Sequence, residues 1–281
     1  MKQYHELLRH ILTNGTSHSD RTGVGTISVF GYQTRFNLRE GFPIVTTKKV
    51  PFRWIAEELF WFLSGDSNEI NLQSRGVDIW AEWADAEHTQ RFGREAGDLG
   101  PIYGYLWRSF GGDYPHRNGF DQIADLIKQI TENPNSRRLI ISGWNPVQAV
   151  QVDLPPCHTL FQFKVENEQI LHCQLYQRSA DAFLGVPFNI SSYALLTQII
   201  AHVCGLQVGD FVHTFGDLHI YSNHLEQVNE LLSREPLPLP KLEFVDAENL
   251  KGLDGLLNFK YENLNLVGYK SLGKISAPVA V

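Results

Sequence analysis

The sequence predicts a single domain of the α+β class, in which helices cover a β-sheet. Helical and strand-like segments are mixed along the chain without the strict alternation of βαβ folds. We see no linker that divides the 281 residues, so residues 1–281 are interpreted as one domain. The hydrophobic fraction of 43% and the charged fraction of 20% are typical of a globular protein with a large core.

Apolar spacing predicts the helices. At the N-terminus, Tyr4, Leu7, Leu8 and Ile11 recur at helical spacing, and Gly15 supplies a stop signal. Similar reasoning predicts helices at 52–63, 123–130, 190–204 and 225–232. The segment 190–204 is the most apolar of them, which indicates a buried helix.

Runs of β-branched and aromatic residues predict the strands. They lie at 25–36, 138–144, 159–165, 170–177 and 211–221. Pro236, Pro238 and Pro240 predict a stiff connector after the last helix.

Charge and cysteine content restrict the class of protein. The formal net charge of −7 disfavours a general nucleic-acid binder, which needs a basic face. Three cysteines do not indicate a disulfide framework, and they favour a reducing compartment. The chain begins with no signal-type segment and has no apolar run long enough to span a bilayer, so we expect a soluble, cytoplasmic protein.

Cys157 is the candidate nucleophile. It follows Pro155 and Pro156 at the start of a predicted strand, whereas Cys173 and Cys204 lie in apolar patterns typical of buried cysteines. A thiol needs a cationic neighbour to ionise at neutral pH, and Arg178 on the next predicted strand is a candidate for that neighbour. The alternative is that Cys157 is also a small buried apolar residue.

Four arginines, together with Ser179, are candidate ligands of an anion. Arg21, Arg137, Arg138 and Arg178 lie in turns or past a strand end. Guanidinium groups match phosphate well, but a single arginine is more commonly a solvated surface charge. The sequence leaves open whether the four converge.

Glu58 lies inside an apolar helix, next to Glu57. A carboxylate is costly to bury, so one of the two is expected to face water. Glu58 either reaches solvent or has a raised pKa suited to acid–base chemistry.

Further polar and aromatic residues allow two interpretations each. Asn189, at a predicted helix start, is first of all an N-cap candidate, and otherwise a partner of a nucleobase edge. His219 and Tyr221 alternate on a strand and share a face, either as a polar pair or as donors to a sugar hydroxyl. Trp80 and Tyr103 are more commonly core residues. No cysteine and histidine spacing fits a structural zinc site, so no metal is expected.

Taken together, these motifs resemble the thymidylate synthase family along nearly the whole chain. The matching segments lie at 20–23, 46–49, 97–104, 136–138, 156–158, 177–181, 184–189, 216–224 and 277–281. The resemblance implies a homodimer in which large mixed sheets, covered by helices on one face, pack back to back. It implies reductive methylation of dUMP to dTMP, with 5,10-methylenetetrahydrofolate as donor of carbon and hydride and dihydrofolate as second product.

The resemblance also implies roles for individual residues. The catalytic set comprises Cys157, Glu58, Arg178, Asn189, Asp181, Tyr103 and His158. The dUMP contacts are Arg21, Arg137, Arg138, Arg178, Ser179, Asn189, His219 and Tyr221, with Arg137 and Arg138 donated by the other subunit. The folate contacts are Lys48, Ile79, Trp80, Asp181, Leu184, Gly185 and Val281.

Two positions depart from the family pattern, and other functions stay open. Ala81 and Leu106 replace common polar residues and are expected near the folate. Hydroxymethylation of the nucleotide is the alternative within the family. A thiol hydrolase that uses Cys157 and His158 is a more distant one, because adjacent strand residues point to opposite faces. A non-catalytic nucleotide binder is the remaining alternative.

Overall fold

In the part of the chain that the structure describes, six strands form the main sheet. The computed structural model describes residues 1–19 and 23–279. The strands of the main sheet are β1 (Thr16–His18), β2 (Thr26–Asn37), β3 (Ile140–Ser142), β4 (His158–Glu166), β5 (Ile170–Asp181) and β6 (Gln207–Tyr221). Their spatial order is β1-β2-β6-β5-β4-β3. Only β5 and β6 pair in parallel, so the sheet is mixed, and the predicted α+β class is confirmed.

Helices pack against this sheet. They are α1 (Lys2–Asn14), α2 (Phe52–Leu63), α3 (Glu69–Gln73), α4 (Ala86–Gln90), α5 (Tyr103–Arg108), α6 (Gln122–Glu132), α7 (Pro146–Ala149), α8 (Gly185–Val203), α9 (Leu225–Ser233) and α10 (Gly252–Asn258). A small hairpin of β7 (Lys241–Phe244) and β8 (Leu264–Val267) follows the proline connector. None of the helices in the described ranges combines the length and apolar character needed to cross a bilayer.

The helix α8 lies at the centre of the core. Most of its residues are buried, as expected for a helix that is apolar on nearly every side. It packs against β5, β6 and α2. The connection from the end of β5 to the start of α8 is short, so the last residues of the strand and the first turns of the helix lie side by side.

The two faces of the sheet differ. In β4, Phe161, Phe163 and Val165 are buried, whereas the alternating residues Leu160 and Gln162 are exposed. This alternation is typical of a sheet with one covered face. The back-to-back dimer stays a prediction.

Two predicted boundaries are wrong in ways that matter for the site. β5 continues to Asp181, so Arg178 and Ser179 lie within a strand and not past it. Helix α8 begins at Gly185, with Leu184 at the N-cap position, so the N-cap interpretation of Asn189 is wrong. The prediction placed the start of the helix after Pro187. A proline is, however, tolerated in the first helical turn, where the N–H groups have no partner within the helix.

Candidate active site

A cavity of about 1270 Å³ opens between the sheet and the helices that cover it. One part of its lining, which we call the polar wall, comes from β4, β5, β6, α8 and the residue preceding β4. The polar wall consists of Cys157, His158, Gln177, Arg178, Ser179, Asp181, Asn189, His219 and Tyr221. A second part, the aromatic wall, consists of Glu58, Phe62, Ile79, Trp80, Trp83, Tyr103 and Leu184, and further residues complete the lining. Most of the predicted site residues therefore meet in one cavity.

The loop that carries Cys157 is held by Arg178. The Arg178 Nε donates to the Pro156 carbonyl at 2.9 Å, and its Nη2 donates to the Pro155 carbonyl at 2.7 Å. The Arg178 backbone N–H donates to the Cys157 carbonyl at 2.8 Å. On the other side, the Cys157 N–H donates to the Tyr103 hydroxyl at 2.8 Å. The proline-fixed backbone and these bonds together orient the thiol towards the cavity.

Electrostatics at Cys157 only partly match the expectation. Burial raises the pKa of the Cys157 thiol, while the Arg178 guanidinium and a hydrogen bond from Tyr103 lower it by less. The net direction is upward, so in the ligand-free protein the thiol is mostly protonated at neutral pH. The Arg178 guanidinium acts in the expected direction, because it lowers the pKa of Cys157, but desolvation outweighs it, and the role of Arg178 in ionising Cys157 stays a prediction.

Glu58 is the second reactive group. Its Oε1 accepts a hydrogen bond from the Trp80 Nε1 at 2.8 Å. Burial raises the pKa of Glu58 to about 7, and the Trp80 bond opposes this shift. The neighbouring Glu57 lies 3.9 Å from Arg53 and 3.7 Å from Arg75, and its side chain is only 12% exposed, so the expectation that one of the two glutamates faces water is not supported.

Asn189 is oriented by a chain of side chains that the sequence reasoning missed. The Gln177 Nε2 donates to the Asn189 Oδ1 at 3.1 Å, and the Gln177 Oε1 lies 2.9 Å from the His213 Nε2. Burial lowers the pKa of His213 well below its usual value, so this histidine is neutral and donates to Gln177. The signal for His213 was its alternation with Phe211 and Phe215 on a buried strand face.

His158 is also neutral. Burial lowers its pKa to about 4, with Asn189 opposing the shift. Its ring lies 4.9 Å from that of Tyr103 and 5.2 Å from that of Tyr193. An imidazole with so low a pKa is a weak base, so His158 is poorly suited to take the proton of the Cys157 thiol, as a thiol hydrolase requires, and that alternative is not supported.

Lys48 and Asp181 lie at the junction of β5 and α8. The Asp181 Oδ1 accepts from the backbone N–H groups of Phe183 and Leu184 at 2.9 and 3.2 Å. The Lys48 Nζ donates to the Phe183 carbonyl at 2.5 Å and lies over the Phe183 ring. Burial lowers the pKa of Lys48 to about 8. The exposed cation beside it at the cavity is Lys49, which the sequence reasoning overlooked.

The remaining sugar and folate candidates also line the cavity. The His219 Nδ1 lies 2.6 Å from the Asp217 Oδ1, and the rings of His219 and Tyr221 lie 5.1 Å apart on one face of β6. Ile79, Leu184 and Gly185 contribute to the lining. So does the C-terminal segment up to Val279, whose Pro278 carbonyl lies 2.7 Å from the His224 Nε2.

Some predicted residues are not part of this cavity. Arg137 and Arg138 are exposed and do not line it. Leu106 is a buried core residue and, like Ala81, does not line the cavity, so the expectation that both lie near the folate is not supported. Arg21 and Val281 lie outside the described residues.

A comparison with protein-family models completes this description. The family model described as "Thymidylate synthase" matches residues 2–281, essentially the whole chain. This chain belongs to the thymidylate synthase family. Membership indicates a methyltransferase of nucleotide biosynthesis that acts on dUMP by transfer of a one-carbon unit, in a family that uses methylenetetrahydrofolate as co-substrate.

Proposed function

We propose that this chain converts dUMP to dTMP by reductive methylation, with 5,10-methylenetetrahydrofolate as donor of carbon and hydride. The observation that carries this proposal is that Cys157, Arg178 and Asn189 share one cavity with Glu58 and Trp80. A nucleophile, an anion ligand and an amide stand on the polar wall, and a titratable carboxyl stands on the aromatic wall.

Covalent activation is the role of Cys157. Its sulfur adds to C6 of the uracil, and the electron pair of the C5–C6 double bond moves towards C5 and O4. C5 thereby becomes nucleophilic. Because the thiol is mostly protonated in the free protein, it has to give its proton to water in the open cavity, and the Arg178 guanidinium stabilises the thiolate that remains. After C5 has bonded to the carbon unit it loses its own proton to water, and the sulfur finally leaves C6 with its electron pair, which regenerates Cys157 as the product forms.

Recognition of the base is the role of Asn189. An amide both donates and accepts hydrogen bonds, which matches the O4 and N3–H of uracil. The hydrogen bond that the Asn189 Oδ1 accepts from Gln177 fixes the orientation of the Asn189 amide, and so the positions of its oxygen and its NH₂ group. Cytosine presents the opposite pattern, so this orientation disfavours it.

Recognition of the phosphate and the ribose falls to other residues of the polar wall. Arg178 and Ser179 are suited to bind the phosphate, and His219 and Tyr221 the ribose hydroxyl. Arg137 and Arg138 are exposed away from this chain's cavity. That placement supports their donation to the cavity of a second subunit in a homodimer, with Arg21 and Ser179 completing the phosphate site.

The aromatic wall fits a reduced folate. The flat faces of Trp80 and Trp83, with Ile79 and Leu184, are suited to stack on and enclose fused rings. Asp181 supplies a hydrogen-bond acceptor for the pterin, and Lys48 or the exposed Lys49 a charge for its carboxylates. The bound folate supplies the carbon unit and the hydride.

Glu58 is suited to move protons beside this wall. With a pKa of about 7, it exists in both protonation states at neutral pH. It can therefore hold a proton near O4 and accept one later, with Tyr103 and His158 in the surrounding polar network. The C-terminal segment, including Val281, is proposed to close over the ligands and exclude water.

The test is a covalent adduct combined with product analysis. Incubation of the full-length protein with 5-fluoro-dUMP and methylenetetrahydrofolate is expected to produce an adduct at Cys157, detected by intact mass and peptide mapping. Turnover of dUMP is expected to yield dTMP and dihydrofolate in equal amounts. A hydroxymethyl nucleotide formed without dihydrofolate would contradict the proposal.

A further inference from the structure

A short segment joins the aromatic wall to the loop that precedes the nucleophile. We call residues 85–94, which include α4, the clip segment. In it, Arg91 forms an ion pair with Asp153, and the Arg94 Nη1 donates to the Gln151 carbonyl at 2.7 Å. The His88 Nε2 lies 3.8 Å from the Asp153 Oδ2. Three side chains of the clip segment therefore converge on the loop 151–154.

This loop carries part of the cavity lining. Asp153 and Leu154 line the cavity, and Pro155-Pro156-Cys157 follow directly. Leu154 also lies with Trp80 and Trp83 around a narrow gap beneath the clip segment. The loop is thus held from two sides, by the clip segment at 151–153 and by Arg178 at Pro155 and Pro156.

The Arg94 side chain is held in place by the residues around it. Its guanidinium lies 5.4 Å from the Phe92 ring centroid and 5.2 Å from that of Tyr114. A side chain at Gly100 would meet the Arg94 Nη1 at 2.4 Å, so the guanidinium occupies the space that this glycine leaves. Neither Arg91 nor Arg94 lines the cavity itself.

We propose that Arg91 and Arg94 are positioning residues, which hold Leu154 at a set distance from Trp80 and Trp83 and thereby tune the affinity for the ring system that binds at the aromatic wall. This inference rests on the proposed function, which assigns that ring system to a reduced folate. It predicts a selective effect, because the polar wall is anchored independently by Arg178.

The expected loss of folate affinity follows from the exposure of the side chains that form these contacts. The Arg91 side chain is 50% exposed and that of Asp153 is 19% exposed, and exposed ion pairs are weak. The half-buried Arg94 adds a bond to a backbone carbonyl. Loss of both contacts is therefore expected to weaken folate binding by about threefold to tenfold.

The experiment uses Arg91→Ala, Arg94→Ala and the double variant in the full-length protein. Dissociation constants are measured for dUMP by calorimetry, and for dihydrofolate in the presence of dUMP by quenching of tryptophan fluorescence. KM and kcat are measured for both substrates. The double variant is expected to show the threefold to tenfold loss for the folate, with the dUMP constant and kcat within about twofold of wild type.

Two further variants separate positioning from general destabilisation. Arg91→Glu, which places a second carboxylate beside Asp153, is expected to weaken folate binding, whereas Arg91→Lys keeps the positive charge and is expected to bind folate like wild type. Lys128→Ala, which removes the exposed pair with Glu132 on α6, is the control and is expected to bind both ligands like wild type.

The outcomes are distinguishable. A double variant with unchanged folate binding would overturn the inference, as would an equal loss of affinity for both ligands. A wild-type protein that binds dUMP but no folate would overturn the proposed function, and the inference with it.

Discussion

The polar wall and the aromatic wall surround the same cavity but are built on different principles. On the polar wall, Arg178 and Asn189 have protein partners at hydrogen-bond distance, mostly main-chain carbonyls and a neighbouring amide. On the aromatic wall, Trp80 packs edge-on against Phe62 and Tyr103, and its bond to Glu58 is a polar link within a mainly apolar surface.

The difference shows that burial can prepare two side chains for different chemical roles. Burial raises the pKa of both Cys157 and Glu58. At Cys157 a guanidinium opposes it, which favours a thiolate once a substrate is bound. At Glu58 only an indole N–H opposes it, which leaves the carboxyl half-protonated near neutral pH. In the proposed reaction, one wall therefore supplies an electron pair and the other a proton.

The largest effect is expected from removal of the nucleophile on the polar wall. Cys157→Ser replaces a thiol by a far less acidic hydroxyl, so kcat for dTMP formation should fall by at least about 10⁴-fold. Binding of dUMP should be largely retained, since Arg178 and Asn189 remain. Steady-state assays and calorimetry measure the two quantities. Cys204→Ser is the matched control, and full activity of Cys157→Ser would exclude covalent activation.

The next effect concerns base recognition on the same wall. Asn189→Asp replaces an amide that donates and accepts by a carboxylate that only accepts, which suits the amino group of cytosine. The preference for dUMP over dCMP, measured as the ratio of kcat/KM values, should fall by about 10²-fold to 10⁴-fold. Asn258→Asp makes the same change at an exposed position and should leave the ratio unchanged. An unaltered ratio in Asn189→Asp would show that the amide does not read the base.

On the aromatic wall, Glu58→Gln should separate activity from stability. Turnover should fall by about 10²-fold to 10³-fold, because the proton carrier is lost. The raised pKa of Glu58 means that the unfolded state loses its proton first, so wild-type stability falls as pH rises from 4.5 to about 7. Glu58→Gln should not show this fall and should gain about 1–3 kcal/mol of unfolding free energy at pH 8.

Urea unfolding at pH 5 and pH 8 measures this gain. Below about pH 4.5 the two proteins should differ little, because the carboxyl is protonated in both states. Glu57→Gln, on the same helix but beside Arg53 and Arg75, is the control and should keep most of the activity. A loss of stability at pH 8 in Glu58→Gln would contradict the raised pKa.

The smallest expected effect, a shift in the pH dependence of kcat, comes from removal of the hydrogen bond between Trp80 and Glu58. Trp80→Phe keeps an aromatic ring but removes the N–H that lowers the pKa of Glu58. The pKa that governs kcat should rise, by about half a unit to one unit, and the pH–rate profile should show the shift. Trp83→Phe lies on the same wall without that bond and should leave the profile in place. Equal shifts in both variants would assign the effect to packing.

Much of this organisation was predictable from sequence. Helix α2 was predicted at its observed bounds, and the strands β2, β4 and β6 near theirs, because alternation and helical spacing are local properties of the chain. For Glu58 the sequence left two alternatives, contact with solvent or a raised pKa, because a carboxylate in an apolar helix loses solvation only where that side of the helix packs. The structure favours the raised pKa.

Other features depended on distant contacts. The parallel pairing of β5 with β6 brings Gln177 near His213, and this pair orients Asn189, which a local reading had assigned to a helix cap. The clip segment contacts Asp153, which lies more than fifty residues later in the sequence. The local spacing of residues therefore cannot predict this contact.

The sequence by itself determined the helices and most strands, the family and the identity of the reactive groups. These features depend on side-chain chemistry and on the spacing of nearby residues, which are local properties of the chain. The tertiary structure alone decided the protonation of Cys157 and His158 and the orientation of Asn189. These properties depend on which atoms replace water around each group, and that is settled only when distant segments pack together.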